Sequence, residues 1–171
     1  MTKRQHDNLS GTLVKIIAGL ILAFIFALGL GRISGSDTFW HIATGKYTLS
    51  TLSIPQFDPF TFTMADTPWR PTEWLSEVIM YLIFSAGGFP GIIVFTSAAF
   101  AAAFLILFFH ARSTGALPLV TLSLLALVGI DRLQHCIPRP QVFSYILLSY
   151  FSLSIHQYLS LIHISEPTRP Y

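Results

Sequence analysis

Charge is scarce here. Asp, Glu, Lys and Arg together make up 11% of the 171 residues, against roughly 25% in an average soluble domain. With 53% hydrophobic residues and a mean hydropathy of +0.63, a water-soluble fold of this size would lack the polar surface to cover itself, so lipid has to take that place. Cysteine is almost absent too. Cys136 stands alone, which excludes an intramolecular disulfide and a cysteine zinc cluster and leaves it as a small apolar residue. No basic stripe exists: the net charge is +2, with the cations scattered rather than interleaved with aromatics. Nucleic acid is therefore not an expected partner. Walker loops, dinucleotide fingerprints, nucleophile elbows and HExxH pairs are also missing, so soluble-type nucleotide chemistry has no foothold.

What is abundant is long apolar sequence. After a polar start from Met1 to Gly11, an apolar run extends from Leu13 to Gly31, about the length that crosses a bilayer. It exceeds the h-region of a cleavable signal peptide, the competing reading, and the exit Gly31-Arg32-Ile33-Ser34-Gly35 offers no Ala-x-Ala-like site. Lys3, Arg4 and Lys15 flank its inner end, and positive-inside bias puts the N-terminus in the cytoplasm. From Arg32 to Thr72, Asp37, His41, Lys46, Asp58, Asp66 and Arg70 appear among prolines 55, 59, 68 and 71, marking an external loop. Within it, Thr38 to Leu52 reads as a short helix. Ile54 to Thr63 reads as extended chain, with Asp58 before Pro59 as a turn initiator.

Glu73 to Ala86 has helical spacing but is short for a span, so it lies at the interface or enters at a slant. Gly87-Gly88-Phe89-Pro90-Gly91 breaks it. Ile92 to Phe109 is apolar throughout, with five alanines suited to close helix packing. Leu117 to Ile130 and the stretch from Val142 to Leu159 follow, separated by the polar patch Asp131 to Gln141. The expected fold is all-α: a polytopic transmembrane helical bundle with one structured external loop containing short interfacial helices. Spans fall at about 13–31, 90–109, 116–132 and 142–160, the loop at 32–72 and the interfacial or slanted helix at 73–86. Residues 1–158 would form the N-terminal part of the membrane domain. An interfacial 73–86 helix puts Arg112 in the cytoplasm and the Arg132/Arg139 patch outside with Asp37; a crossing one reverses this.

The end of the chain has a different character. Leu159 to Arg169 reads L-S-L-I-H-I-S-E-P-T-R, which resembles, without a gap, one translated frame of the transposase adapter used to prepare sequencing libraries. The expectation is a non-native tail over 159–171, with the natural polypeptide leaving this sequence near Tyr158; a genuine polar tail is the alternative.

Few residues outside the spans can carry chemistry. Asp37, just before a helical segment, is a good N-cap or, at headgroup depth, a general base or the ligand of a phosphate-holding metal. His41 shares its face one turn later, either packing beside Trp40 or acting with Asp37. Glu73 and Glu77 also lie one turn apart, as a solvated face or as substrate contacts relieved by a cation. His135 and Arg139 suit an anionic phosphate, Arg by its fixed fork of donors, or else act as a positive-inside anchor. Trp40, Trp69 and Trp74 fit an interfacial belt.

The segments "SDTFWHIATGKYTLSTLSIPQFDPFTFT", "WRPTEWLSEV" and "RPQVFSYILL" resemble a group of bacterial multi-span proteins similar to the GT-C glycosyltransferases, with a pattern D-x-x-W-H-x-x-x-G, I-P-x-x-D-P-F-[ST]-F-T and E-W-L-x-E. The resemblance covers about Asp37 to Tyr150. It implies an inner (plasma) membrane enzyme of the bacterial cell envelope, multi-pass, with the lipid bilayer and a polyprenyl-phosphate-type sugar donor as its partners. Asp37 would be the loop carboxylate that serves as base or metal ligand, so a divalent cofactor stays open. A second acid is not adjacent, since Thr38 follows Asp37, and Arg70-Pro71-Thr72-Glu73 stands where related transferases carry a Lys-Pro-Pro-type segment. The different-class alternative is a non-catalytic membrane protein, a transporter or assembly component. An enzyme requires Asp37, His41 and Arg139 to face one cavity.

Overall fold

A computed structural model describes residues 3–31, 33, 35–63, 67–131 and 137–165. Five helices follow one another: α1 (Lys3–Gly29), α2 (Asp37–Thr51), α3 (Trp74–Ser113), α4 (Pro118–Asp131) and α5 (Gln141–Ser165). Among the described residues there is no strand, only an isolated antiparallel bridge between Phe57 and Pro68 in the loop, so the chain is all-helical as its apolar periodicity predicts. Among the described residues, two helices are long and apolar enough to cross a membrane: Thr12–Gly29 within α1, and α3. On α1, Ala18 and Ile25 are buried while Leu13, Ile16, Leu20 and Phe24 are exposed. One stripe meets protein, and the remaining apolar surface has no protein cover.

The 40 residues of α3 are two helices joined at Gly88 (φ 60°, ψ −154°). That backbone region is open to glycine and costly for any residue with a Cβ. Pro90 sits in the first turn of the second half, where its missing N–H breaks no helical hydrogen bond. The expected break at 87–91 is thus present, and the chain bends there sharply enough to bring the Ile83 carbonyl beside Gly91 and Met80 onto Ile92. At its far end α3 closes in a Schellman arrangement: Gly115 N–H donates to the Arg112 carbonyl at 3.2 Å and Ala116 N–H to the Ala111 carbonyl at 3.0 Å. This turn uses up Ala116, and α4 starts only at Pro118. α4 is therefore 14 residues long, shorter than the span expected over 116–132 and than the roughly 20 residues a full crossing takes.

The contacts between helices give their relative directions. Gly29 lies beside Ser97, while Ile25 and Phe104 both flank Gly129, so α1 and the second half of α3 are antiparallel. Phe95 meets Phe143 at 5.5 Å, Phe100 meets Tyr145 at 5.2 Å and His110 meets His156 at 5.3 Å; α5 therefore runs parallel to α3. The core they share is Ile25, Ala99, Phe100, Phe104 and Val142, with buried Thr96, Ser97 and Ala103 keeping the α3 surface low enough for close approach. α1 ends level with Ser97, and Gly88 is nine residues, roughly 13 Å, further along the axis of the second half of α3. There the chain turns, and a second cluster, Ile42, Met80 and Ile92, fastens α2 to the first half. The helix read as interfacial or slanted over 73–86 thus packs on α2 beyond the end of α1.

Candidate functional site

One end of the molecule collects most of the residues singled out by chemistry. Its geometry starts at Gly45. A Cβ there would collide with the carbonyl oxygen of Glu77 and lie 3.0 Å from Tyr81 Cβ, so only glycine lets α2 and α3 cross this closely. One turn earlier on α2, the same approach brings His41 Nδ1 to 2.8 Å from Glu77 Oε1. A carboxylate only accepts, so the His41 Nδ1–H donates. The side chains are 15% and 2% exposed. The solvated face expected for Glu73 and Glu77 is therefore corrected for Glu77: it is buried, and its Oε2 is shielded with no hydrogen-bond partner among the described residues. Glu73 does stay exposed at the N-cap of α3. Ligand atoms of His41, Glu73 and Glu77 all lie within 4.8 Å of one another.

The start of α5 closes on the start of α2 from the other side. Thr38, fully buried, donates its Oγ1–H to the Pro138 carbonyl at 2.9 Å. That bond places the next residue, Arg139, with Nη2 2.6 Å from Asp37 Oδ2; the pair stays 39% and 51% exposed. Asp37 does not act as the N-cap. Ser36 holds that position without a side-chain cap bond, and Asp37 in the first turn gains from the helix dipole and from Arg139 instead. Ser36, Asp37, Trp40 and His41 line a cleft of about 390 Å³. Asp37 and His41 thus share one cleft, while Arg139 reaches Asp37 without lining the cleft; His135 lies outside the described residues, as do Arg132 and Cys136.

The loop folds over the other flank of α2. Trp40 packs edge-on against Phe60 (5.2 Å) and Trp69 (5.5 Å), and Tyr47 against Phe60 (6.2 Å). Two of the three tryptophans read as an interfacial belt thus pack into a cluster, while Trp74 remains exposed. Asp58 Oδ1 accepts from the Phe60 N–H at 2.9 Å and the Thr61 N–H at 3.2 Å, and Oδ2 accepts from the Thr61 hydroxyl. The Thr61 hydroxyl foremost, then the Phe60 N–H, holds the Asp58 carboxyl below its ordinary value, and the turn reading of Asp58-Pro59 stands.

Sequence reasoning passed over Thr38 and Gly45, which hold the site together. A glycine in mid-helix was the available signal, since it weakens a helix unless a neighbour needs the room. Comparison with family models, curated proteins and solved structures finds no match to this chain.

Proposed function

We propose that the chain is the N-terminal part of a multi-span inner-membrane glycosyltransferase that takes a sugar from a polyprenyl-phosphate-type lipid. The observation that carries this reading is a cleft lined by Asp37 and His41, with Arg139 paired to the Asp37 carboxylate. Lys3, Arg4 and Lys15 put the opposite end in the cytoplasm, and the second half of α3 then returns across the bilayer, with the shorter α4 beside it and α5 parallel to it. The cleft faces the periplasm at headgroup depth, where a lipid-linked donor presents its phosphate.

The ion pair gives this arrangement a working sequence. A half-exposed Asp–Arg pair is worth only about 0–1 kcal/mol, so an arriving phosphate can take over the Arg139 guanidinium, whose fork fits its oxygens. Asp37 is released next to the acceptor and takes the acceptor hydroxyl proton as it attacks the anomeric carbon. Arg139 steadies the charge that builds on the leaving phosphate. A non-catalytic membrane component is the second reading, favoured because Asp37 and His41 already have protein partners.

One variant separates the two. In the full-length protein, Asp37→Asn should leave expression and membrane insertion near normal, since it removes only an exposed ion pair. Sugar transfer from a polyprenyl-linked donor should fall by roughly 10²–10⁴-fold, the usual share of a general base. Turnover at the wild-type rate would refute the catalytic reading.

A further inference from the structure

We infer that His41 Nδ1 and one carboxylate oxygen each from Glu73 and Glu77 form a binding site for a single first-row divalent transition-metal ion, best matched by Zn²⁺. The site is separate from the Asp37–Arg139 pair and does not depend on glycosyl transfer.

Three features converge on it. The first is distance. With zinc bonds of about 2.0–2.2 Å in tetrahedral geometry, ligand atoms lie roughly 3.3–3.6 Å apart. One ring nitrogen of His41 and one carboxylate oxygen each of Glu73 and Glu77 lie within 4.8 Å of one another, and the exposed Glu73 side chain has the freedom to swing in and close the difference.

The second is the state of Glu77. Its side chain is 2% exposed, yet Oε2 is shielded from solvent and accepts no hydrogen bond from the described residues. A buried carboxylate with half its acceptor capacity unused is an unfavourable arrangement that native structures seldom keep without a counter-charge. The neighbouring imidazole supplies one hydrogen bond to Oε1 and no more. A cation bound to the carboxylate is the partner this group lacks, and His41 would then give up its Nδ1 proton to ligate.

The third is the donor set. One imidazole nitrogen with two carboxylate oxygens is a mixed set that favours zinc and its first-row neighbours over magnesium and calcium, which take oxygen alone. Three protein ligands leave a fourth position open, as in zinc sites that bind water or substrate. His41 also lines the 390 Å³ cleft with Asp37 and Trp40, which gives that position access from the surface.

The test is a metal titration of the full-length protein in detergent, stripped with chelator and titrated with Co²⁺, whose visible bands report coordination, then with competing Zn²⁺. The expected result is saturation at one equivalent per chain, with Zn²⁺ displacing Co²⁺. His41→Ala should abolish stoichiometric binding. Glu73→Gln, at an exposed position where folding is not at stake, should weaken it by roughly tenfold or more, since even an outer partner of a metal ligand is commonly worth 10–100-fold. Asp37→Asn should bind as the wild type does. The absence of saturable binding, an unchanged affinity in both ligand variants, or equal weakening by Asp37→Asn would each overturn the site. Because the readout is binding rather than turnover, this outcome is independent of the transferase test.

Discussion

Asp58 fastens the loop to itself through the Thr61 hydroxyl and the Phe60 and Thr61 N–H groups, and the same bonds set its response to acid. Its folded pKa is depressed, so its contribution is fully present above the ordinary carboxylate value and disappears as pH falls through the lower, folded one. The Trp40–Phe60–Trp69 cluster should therefore survive acidification through the ordinary carboxylate range and loosen only below it. Fluorescence of the remaining Trp40 and Trp69 in a Trp74→Phe background would follow this, since both belong to the cluster. Asp58→Ala should lose that acid transition and show a looser cluster at every pH. A transition at the ordinary value would mean that the bonds to Thr61 and Phe60 do not favour the charged form. Asp58-Pro59 was legible as a turn because its partners lie within three residues. Glu77 was not, since one turn after Glu73 it reads as half of a solvated pair; what buries it is α2, more than thirty residues earlier.

At the scale of elements, the helices follow from apolar runs and from Gly and Pro punctuation. Their lengths and crossings do not. The break at 87–91 is visible in sequence, but whether it ends a helix or bends one depends on the φ that Gly88 adopts. The first turn of α2 likewise shows an Asp where a cap is favoured, yet the cap falls to Ser36 because Arg139, a hundred residues on, claims the carboxylate. Gly45 is the clearest instance of an element held by what it lacks. Gly45→Ala improves intrinsic helix propensity by up to about 1 kcal/mol, but it forces a methyl against the Glu77 carbonyl, and overpacking of that kind costs about 1–3 kcal/mol. The second effect should win. The variant is expected to melt at a lower temperature in detergent and to lose the spectroscopic signature of Co²⁺, because α2 must move away and take His41 with it. An unchanged melting point would show that the crossing has slack.

For the whole molecule, the ordering of helices carries a topological prediction. α1 and the second half of α3 are antiparallel, and Asp37 and Arg139 meet at the end reached after one crossing. With Cys136 replaced by Ser, Thr51→Cys should react with a membrane-impermeant thiol reagent in intact cells, while Asn8→Cys should react only after permeabilisation. The reverse pattern would invert the orientation. This arrangement was only half legible in the sequence: the charge counts left two topologies open, and nothing in the spacing told that Arg139 pairs with Asp37 at 2.6 Å.

The bond between the Thr38 hydroxyl and the Pro138 carbonyl spans 100 positions of chain, and this has a consequence for biosynthesis. A ribosome adding about 5–20 residues per second leaves Thr38 without its acceptor for roughly 5–20 s after α2 has emerged. During that interval the His41–Glu77 half can already assemble, since both partners precede α4, while Asp37 has no guanidinium beside it. The two halves of the site therefore mature at different times, and the acidic half is complete before the segment that carries Arg139 has left the exit tunnel.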